Sequence, residues 1–202
     1  MKLLDYMRII ADTVSEDTLI VASHTKNIMG WLMMKKSNAY LGDLNMGLTT
    51  PVALGLAMAL PHRRVLALDS DGGATLFTSA MLDLASQKPA NLTVVIHDNS
   101  QLIRYPSLTA GKTDLAAMAK GAGIENVHDV DNLDDFKRAF VKATAQRQLH
   151  YIVARSERVR LSTPEGLIKQ IGMENTIDFV RRIEREEGVS IIGGGWRMDG
   201  LG

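Results

Sequence analysis

Apolar residues recur at helical spacing from the start of the chain, at Leu3, Met7, Ile10, Ala11 and Val14, and predict a first helix with one buried face. An unbroken apolar run over residues 19–22 predicts a short strand, residues 28–34 a helix, and residues 39–41 a brief strand. Thr50 before Pro51 reads as a helix start, with Thr50 at the N-cap and Pro51 at the first helical position. The helix runs over residues 52–60, and its small residues Ala53, Gly55, Ala57 and Ala59 imply close packing against a sheet. Residues 65–68 form the next apolar strand, which ends at Asp69-Ser70-Asp71-Gly72-Gly73. A helix over residues 76–87 is broken at Lys88-Pro89-Ala90, and a strand over residues 92–96 ends at His97-Asp98-Asn99-Ser100. After a long loop come a helix over residues 114–120 stopped by Gly121 and Gly123, a weak strand over 126–130, an amphipathic helix over 134–145 and a strand over 151–154.

Strand and helix alternate, and the best strands are continuously apolar. That pattern predicts an α/β fold: a three-layer, doubly wound parallel sheet with helices on both faces. Beyond Arg155 the pattern changes. Met173, Ile177, Val180 and Ile183 mark a terminal helix whose outer face is Arg and Glu, and residues 188–202 form a glycine-rich tail holding Trp196. The expected organisation is one domain over residues 1–187, including that helix, and a tail over 188–202.

Composition narrows the function classes. The 202 residues carry 23 basic and 23 acidic side chains, a zero formal charge that argues against nucleic-acid or polybasic membrane-surface binding. With 46% hydrophobic residues the chain can build a full core, which excludes a disordered polypeptide. The absence of cysteine removes disulfides, Cys-ligated zinc and chain-held Fe–S clusters, and fits a reducing cytosol. The N-terminus lacks the basic start and apolar core of a signal peptide, and no apolar run reaches the roughly 18 residues of a membrane span. A cytoplasmic location is expected.

Ligands of open parallel sheets sit beyond the carboxyl ends of the strands, and two strands here end in polar, metal-competent residues: Asp71 after one, Asp98 and Asn99 after the next. Asp71 opens a Gly-Gly turn into a helix, a geometry that exposes backbone N–H groups to a phosphate. A carboxylate beside it suits Mg2+, which takes few protein ligands and favours phosphate oxygens. On Asp-Gly-Gly alone, an ordinary strand-end turn with Asp and Asn caps explains the residues equally well.

The wider context resembles a known family. Asp69-Ser70-Asp71-Gly72-Gly73, a helix and a strand, then Asp98-Asn99 resemble the cofactor motif of the thiamine diphosphate-dependent enzymes. Gly42-Asp43-Leu44-Asn45-Met46-Gly47-Leu48 is similar to the segment that grips the aminopyrimidine ring. The stretch from Thr109 to Lys120 resembles a helix of the phosphonopyruvate and sulfopyruvate decarboxylases. The resemblance implies thiamine diphosphate and Mg2+ as cofactors. Asp71 and Asn99 would be side-chain Mg2+ ligands, with the Gln101 carbonyl as a third, and Gly72 and Gly73 would offer N–H groups to the diphosphate. His24 and Thr25 would add diphosphate contacts, backbone groups of Leu44 and Met46 would hold the pyrimidine edge, and the Met46 side chain would wedge the cofactor into its bent form.

Two departures stand out: Ser70 replaces the first glycine of the motif, and residues 100–105 replace the usual Gly-x-Tyr beside the reacting carbon. In this family a second domain type binds the pyrimidine and supplies an activating glutamate. The chain accounts for the diphosphate-binding domain alone, so the resemblance implies a hetero-oligomer similar to the β subunits of sulfopyruvate decarboxylases. The pyrimidine-binding α subunit would carry the glutamate, and no catalytic residue is assigned to this chain. The implied activity is nonoxidative decarboxylation of a short 2-oxoacid. A subunit of another thiamine diphosphate-dependent carboligase or synthase, or a non-catalytic cofactor-binding subunit, are the alternatives. Arg104 and Lys112 are candidates for an anionic substrate group, His97 reads as a buried structural histidine, and His62, His128 and His150 read as surface or packing residues.

Overall fold

A computed structural model describes residues 1–24, 26–102, 105–158 and 172–191. Thr25, Arg104 and the tail beyond residue 191 with Trp196 lie outside the described residues. The helix α1 (Leu3–Thr13) is followed by β1 (Leu19–Ser23), α2 (Lys26–Met33), β2 (Tyr40–Leu44), α3 (Thr49–Ala59), β3 (Val65–Ser70), α4 (Asp71–Leu76), α5 (Ala80–Gln87) and β4 (Leu92–Asp98). A small hairpin of β5 (Gln101–Leu102) and β6 (Tyr105–Pro106) and a 3-10 turn at Leu108–Ala110 occupy the long loop. Then come α6 (Leu115–Gly121), β7 (Asn126–Val130), α7 (Leu133–Ala145), β8 (His150–Arg155) and α8 (Met173–Glu187).

Six strands form one parallel sheet in the order β2-β1-β3-β4-β8-β7. Because side chains alternate across a strand, Val65 and Ala67 face one core with α3, α5, α6 and α8, while Leu66 and Leu68 face another with α1, α2 and α7. This is the three-layer, doubly wound arrangement expected. The chain reverses direction across the sheet between β1 and β3, so the crevice beyond their carboxyl ends is a topological switch point.

The edge strand β2 is finished by a side chain. Its outward Gly42 N–H donates to Asn175 Oδ1 at 2.9 Å, and Asn175 Nδ2 donates to the Tyr40 carbonyl at 3.1 Å. The amide of Asn175, buried on α8, thus stands in for one peptide of an absent neighbouring strand. Phe179 and Ile183 bury the same helix in the core, and Arg63 reaches Glu186 and Glu187 near its end at 3.0 and 2.7 Å. Beside Asn175 the β1–β2 register slips by one residue, with Val21 opposite Leu41 but Ser23 opposite Leu44. Gly42 sits in that irregularity, where a Cβ would stand 2.7 Å from the Ile28 side chain. The slip re-aims the chain toward residues 44–47.

Two local expectations are corrected. The helix over residues 76–87 is instead two, because α4 starts at Asp71 and ends at Leu76, where Phe77 leaves helical geometry at φ −128°, ψ 58°. Thr50 is not an N-cap: α3 begins at Thr49, and Thr50 turns both its N–H and its hydroxyl to Asp69.

Truncating Asn175 to Ala removes two hydrogen bonds and strands two edge groups, so it should cost about 2–3 kcal/mol. Urea unfolding of the variant checks this, and Asn175→Asp, which keeps an acceptor for Gly42 but repels the Tyr40 carbonyl, should recover little. A second expectation concerns acid. His150 is fully buried and stacked on His128, and burial, helped by the charges of His128 and Lys142, pulls its pKa down to about 4. Its unfolded value is near 6.5, so the unfolded chain binds the proton first. Stability is therefore full above about pH 6.5 and falls as pH drops toward 4, by up to about 1.4 kcal/mol per pH unit. Urea midpoints at pH 7 and 5 should show that fall, and His150→Gln should reduce it.

Candidate functional site

Three carboxyl ends, those of β1, β3 and β4, meet at the switch point. At the end of β3, Ser70 keeps an extended backbone at φ −120°, ψ 159°, so a side chain is tolerated at this motif position. It also caps α4, its Oγ accepting from the Gly73 N–H at 3.1 Å. Beneath it, the buried Asp69 accepts from Thr50 N–H at 3.2 Å, Thr50 Oγ1 at 2.7 Å and Ser70 N–H at 2.8 Å. A Cβ on Gly73 would lie 2.3 Å from Asp69 Oδ1, and this carboxylate is tied from several sides, so only glycine fits. Gly73 therefore serves close packing. In this structure Gly72 and Gly73 each have an internal partner for their N–H groups, Asp71 Oδ1 for one and Ser70 Oγ for the other.

Asp71, 1% exposed, is held by the loop after β4. Ser107 Oγ donates to Asp71 Oδ2 at 2.6 Å, Thr109 Oγ1 lies 3.1 Å from the same oxygen, and Thr109 also donates to Asp98 Oδ1 at 2.8 Å. Two hydroxyls thus bridge two buried carboxylates. Burial pushes the Asp71 pKa up, the Ser107 hydrogen bond opposes this, and the Asp98 charge adds to it. The two acids differ in their cations. Arg155 at the end of β8 stands 3.9 Å from Asp98 Oδ2 while gripping Asp129 at 2.7 Å. No ion pair to Asp71 occurs among the described residues. Lys26, half-buried at the start of α2, feels the Asp71 charge, but its pKa is pulled down first by burial. Of the two acids, Asp71 is the one without an ion-pair partner among the described residues.

Asn99 is equally fixed. Its Oδ1 accepts from the Gln101 N–H at 3.0 Å, and its Nδ2 donates to His97 Nε2 at 3.0 Å. His97 is buried and hydrogen-bonded to Tyr6 of α1, as expected of a structural histidine, and burial pulls its pKa down to about 3. Over the glycine turn, a Cβ on Gly72 would meet Leu102 Cδ1 at 2.7 Å and Met46 Sδ at 3.7 Å. The β2–α3 loop and the β5 hairpin therefore roof the start of α4. Gly47 makes the loop possible with φ +91° and packs on Leu76 and Phe77. Leu44 is half-buried and Met46 exposed; His24 is exposed at the end of β1, and Lys112 is exposed on the long loop.

The donors gathered here are oxygens: a carboxylate at Asp71, an amide carbonyl at Asn99 with one lone pair in use, and the backbone beside Gln101. That set fits a hard cation such as Mg2+, which completes its shell with ligand phosphates. Among the described residues no three His, Cys, Asp or Glu side chains gather into a metal cage. Sequence reasoning passed over Ser107 and Lys26 and gave Asp69 and Thr50 no role in the site. Thr109 lies in the quoted motif and could have been found there, whereas nothing near Ser107 marks it.

Comparison with known proteins agrees with this geometry. Residues 23–154 match the family model of the thiamine pyrophosphate enzyme, C-terminal TPP binding domain. The chain is 32% identical over 114 residues to a sulfopyruvate decarboxylase of Methanosarcina acetivorans, covering 54% of this chain and 28% of that protein. It is 33% identical over 92 residues to a sulfopyruvate decarboxylase subunit beta of Methanothermobacter thermautotrophicus (45% of this chain, 49% of that one). A phosphonopyruvate decarboxylase of Streptomyces hygroscopicus is 33% identical over 105 residues, covering 50% of this chain and 25% of that protein. The chain thus spans half or less of each of these relatives. In fold it is similar to a putative thiamin diphosphate-dependent enzyme from Mycobacterium smegmatis, with a TM-score of 0.70 and 17% identity over 79% of this chain and 32% of that one. A 4-hydroxybenzoylformate decarboxylase from Rhodococcus jostii gives 0.68 and 20% over 79% and 33%.

If Asp71 receives a cation, metal and proton compete for it. Mg2+ with inorganic diphosphate at about one hundred times Kd should stabilise the chain by about 2.7 kcal/mol near neutral pH, a rise in Tm of about 5–10 °C. The rise should shrink as pH falls through the raised Asp71 pKa. Asp71→Asn should abolish it at every pH while leaving the metal-free melting point level or higher, since it removes a buried charge.

Proposed function

Because the chain belongs to the thiamine pyrophosphate enzyme family, as its C-terminal TPP binding domain, we propose that it is the diphosphate- and Mg2+-binding subunit of a heteromeric 2-oxoacid decarboxylase of the sulfopyruvate and phosphonopyruvate type. The observation that carries this reading is Asp71: a buried carboxylate at a Gly-Gly helix start, bonded by Ser107, close to Thr109, and without an ion-pair partner among the described residues. Bound thiamine diphosphate supplies the electron sink for losing CO2 from a 2-oxoacid. The chain's own residues bind and orient. Asp71, Asn99 and the Gln101 carbonyl would hold Mg2+, which would in turn bind the diphosphate of the cofactor. Backbone groups of Leu44 and Met46 would take the pyrimidine edge, while Leu102 and Met46 lie over Gly72 of the turn.

A partner chain is supported by what surrounds the site. Met46, Leu48, Leu76 and Phe77 are 43%, 38%, 60% and 42% exposed and sit together, since Gly47 packs on Leu76 and Phe77. An apolar rim beside a polar cleft is the composition of a protein interface. The printed name of the Methanothermobacter thermautotrophicus relative, a subunit beta, supports the same view. The decarboxylase relatives favour an acidic 2-oxoacid, and a cytoplasmic setting is part of the same proposal. No described helix is long and apolar enough to cross a membrane.

The test is reconstitution. The chain alone, with thiamine diphosphate and Mg2+, should release no CO2 from sulfopyruvate or phosphonopyruvate. Co-expressed with a pyrimidine-binding chain it should do so, and Asp71→Ala should lower kcat/KM at least a hundredfold. Turnover by the isolated chain would sink the two-chain reading, and full activity of Asp71→Ala the metal assignment.

A further inference from the structure

We propose that His97 is a positioning residue that fixes which face of Asn99 meets the metal, and that Tyr6 of the first helix holds His97 for that task. The inference rests on the reading of Asn99 as a Mg2+ ligand and deepens it.

An amide side chain is ambiguous about its two ends. Only the carbonyl oxygen can ligate Mg2+, and a half-turn about the last bond would present the NH2 group instead. Two independent contacts decide the matter here. The Gln101 N–H is a donor, so the end it touches at 3.0 Å is oxygen. The other end stands 3.0 Å from His97 Nε2 and is the donor Nδ2, so Nε2 has to be an acceptor. That fixes the tautomer: the imidazole is neutral, with its proton on Nδ1. The Nδ1 side faces the Tyr6 hydroxyl, with Ser156 Oγ next nearest at 3.3 Å. The phenol oxygen accepts a hydrogen bond from that N–H, which closes the chain Tyr6, His97, Asn99.

Packing holds this chain rigid. Tyr6 and His97 are both buried, and the Tyr6 ring packs on Phe136 of α7 with centroids 5.0 Å apart. The ring of His97 therefore cannot turn without disturbing the core between α1, α7 and the sheet. Gln101 alone is a weaker guide, since it lies in a two-residue strand of an isolated hairpin. The histidine supplies the fixed reference that this loop lacks. Outer partners of metal ligands act in the same manner, and their loss generally weakens metal binding about 10–100-fold.

The experiment uses the full chain assembled with its partner, with thiamine diphosphate present, and Mn2+ as the probe. Free Mn2+ is read by electron paramagnetic resonance, which reports occupancy and not turnover. Thermal melting without metal separates folding damage from site damage. His97→Leu should raise the Mn2+ concentration for half-occupancy about 10–100-fold. His97→Gln, whose carbonyl still accepts from Nδ2, should recover most of the loss. Tyr6→Phe, which keeps the ring packing, should cost about tenfold. The double variant His97→Leu/Asn99→Ala should bind no worse than Asn99→Ala alone, because the histidine acts through the asparagine.

A folded His97→Leu chain with unchanged occupancy would overturn the proposal. Should that variant not fold, Tyr6→Phe decides: a loss near tenfold supports the relay, and unchanged binding overturns it. Asn99→Ala separates the two levels of argument. If it leaves Mn2+ binding intact, the metal reading itself fails, whereas loss in Asn99→Ala without loss in folded His97→Leu condemns the relay only.

Discussion

Three segments of the chain converge on Asp69, and the geometry of the site depends on their doing so. Its carboxylate takes the N–H and hydroxyl of Thr50 from α3 and the N–H of Ser70 at the head of α4, while its carbonyl accepts from Asn27 of α2 at 2.7 Å. Asn27 also donates to Ser23 at the end of β1, at 2.9 Å. A carboxylate in the core is expensive to desolvate, and burial pushes its pKa up, against the pull of these donors. What the cost obtains is position: a charge acceptor with several fixed donors admits one arrangement of the strand end, the following turn and the neighbouring helix start. Gly73 follows from the same constraint, since the turn is pressed onto the carboxylate too tightly for any side chain.

On that platform, Asp71 and Asp98 form an unequal pair. Both are buried, and the hydroxyls of Ser107 and Thr109 lie between them. Each hydroxyl has a single proton, so the two cannot satisfy both acids and each other at once. Arg155 balances Asp98 and ties it to Asp129, which makes that acid part of the frame. Asp71 has no ion-pair partner among the described residues, and under the proposed function a divalent ion with an anionic ligand would be its complement. The difference between the two acids comes from one arginine at the end of a different strand.

The strands were legible because interior parallel strands are unbroken apolar runs, as at Leu92–Asp98, whose residues are all buried. β7 read weakly for a physical reason: at the sheet edge, four of its five residues remain partly or fully exposed. The error at residues 76–87 arose because Leu76 and Phe77 look like core residues, whereas they are exposed. Asp71 and Asn99 were singled out through the resemblance to a family motif. Ser107 and Asn175 were not, since their bonds reach Asp71 and Gly42 across 36 and 133 positions. Thr50 was misread for the same reason: its neighbour Pro51 suggested a cap, while a distant carboxylate claimed its donors. Local rules predict elements well, and long-range polar contacts remain invisible to them.

One feature of the composition gains meaning beside the site. The charges cancel over the whole chain, and many are spent internally, as in the Arg63, Glu186 and Glu187 cluster that pins α8 and the Arg155 cluster at the sheet end. The rim of the cleft is apolar. Association at this surface would therefore be driven by burial of Leu48, Leu76 and Phe77 rather than by electrostatic steering, and would depend only weakly on salt. Closing the rim would also dry the cleft. Lower local dielectric would strengthen the attraction between Asp71 and a cation bound there, so in the proposed two-chain enzyme the contact that completes the site would also strengthen it.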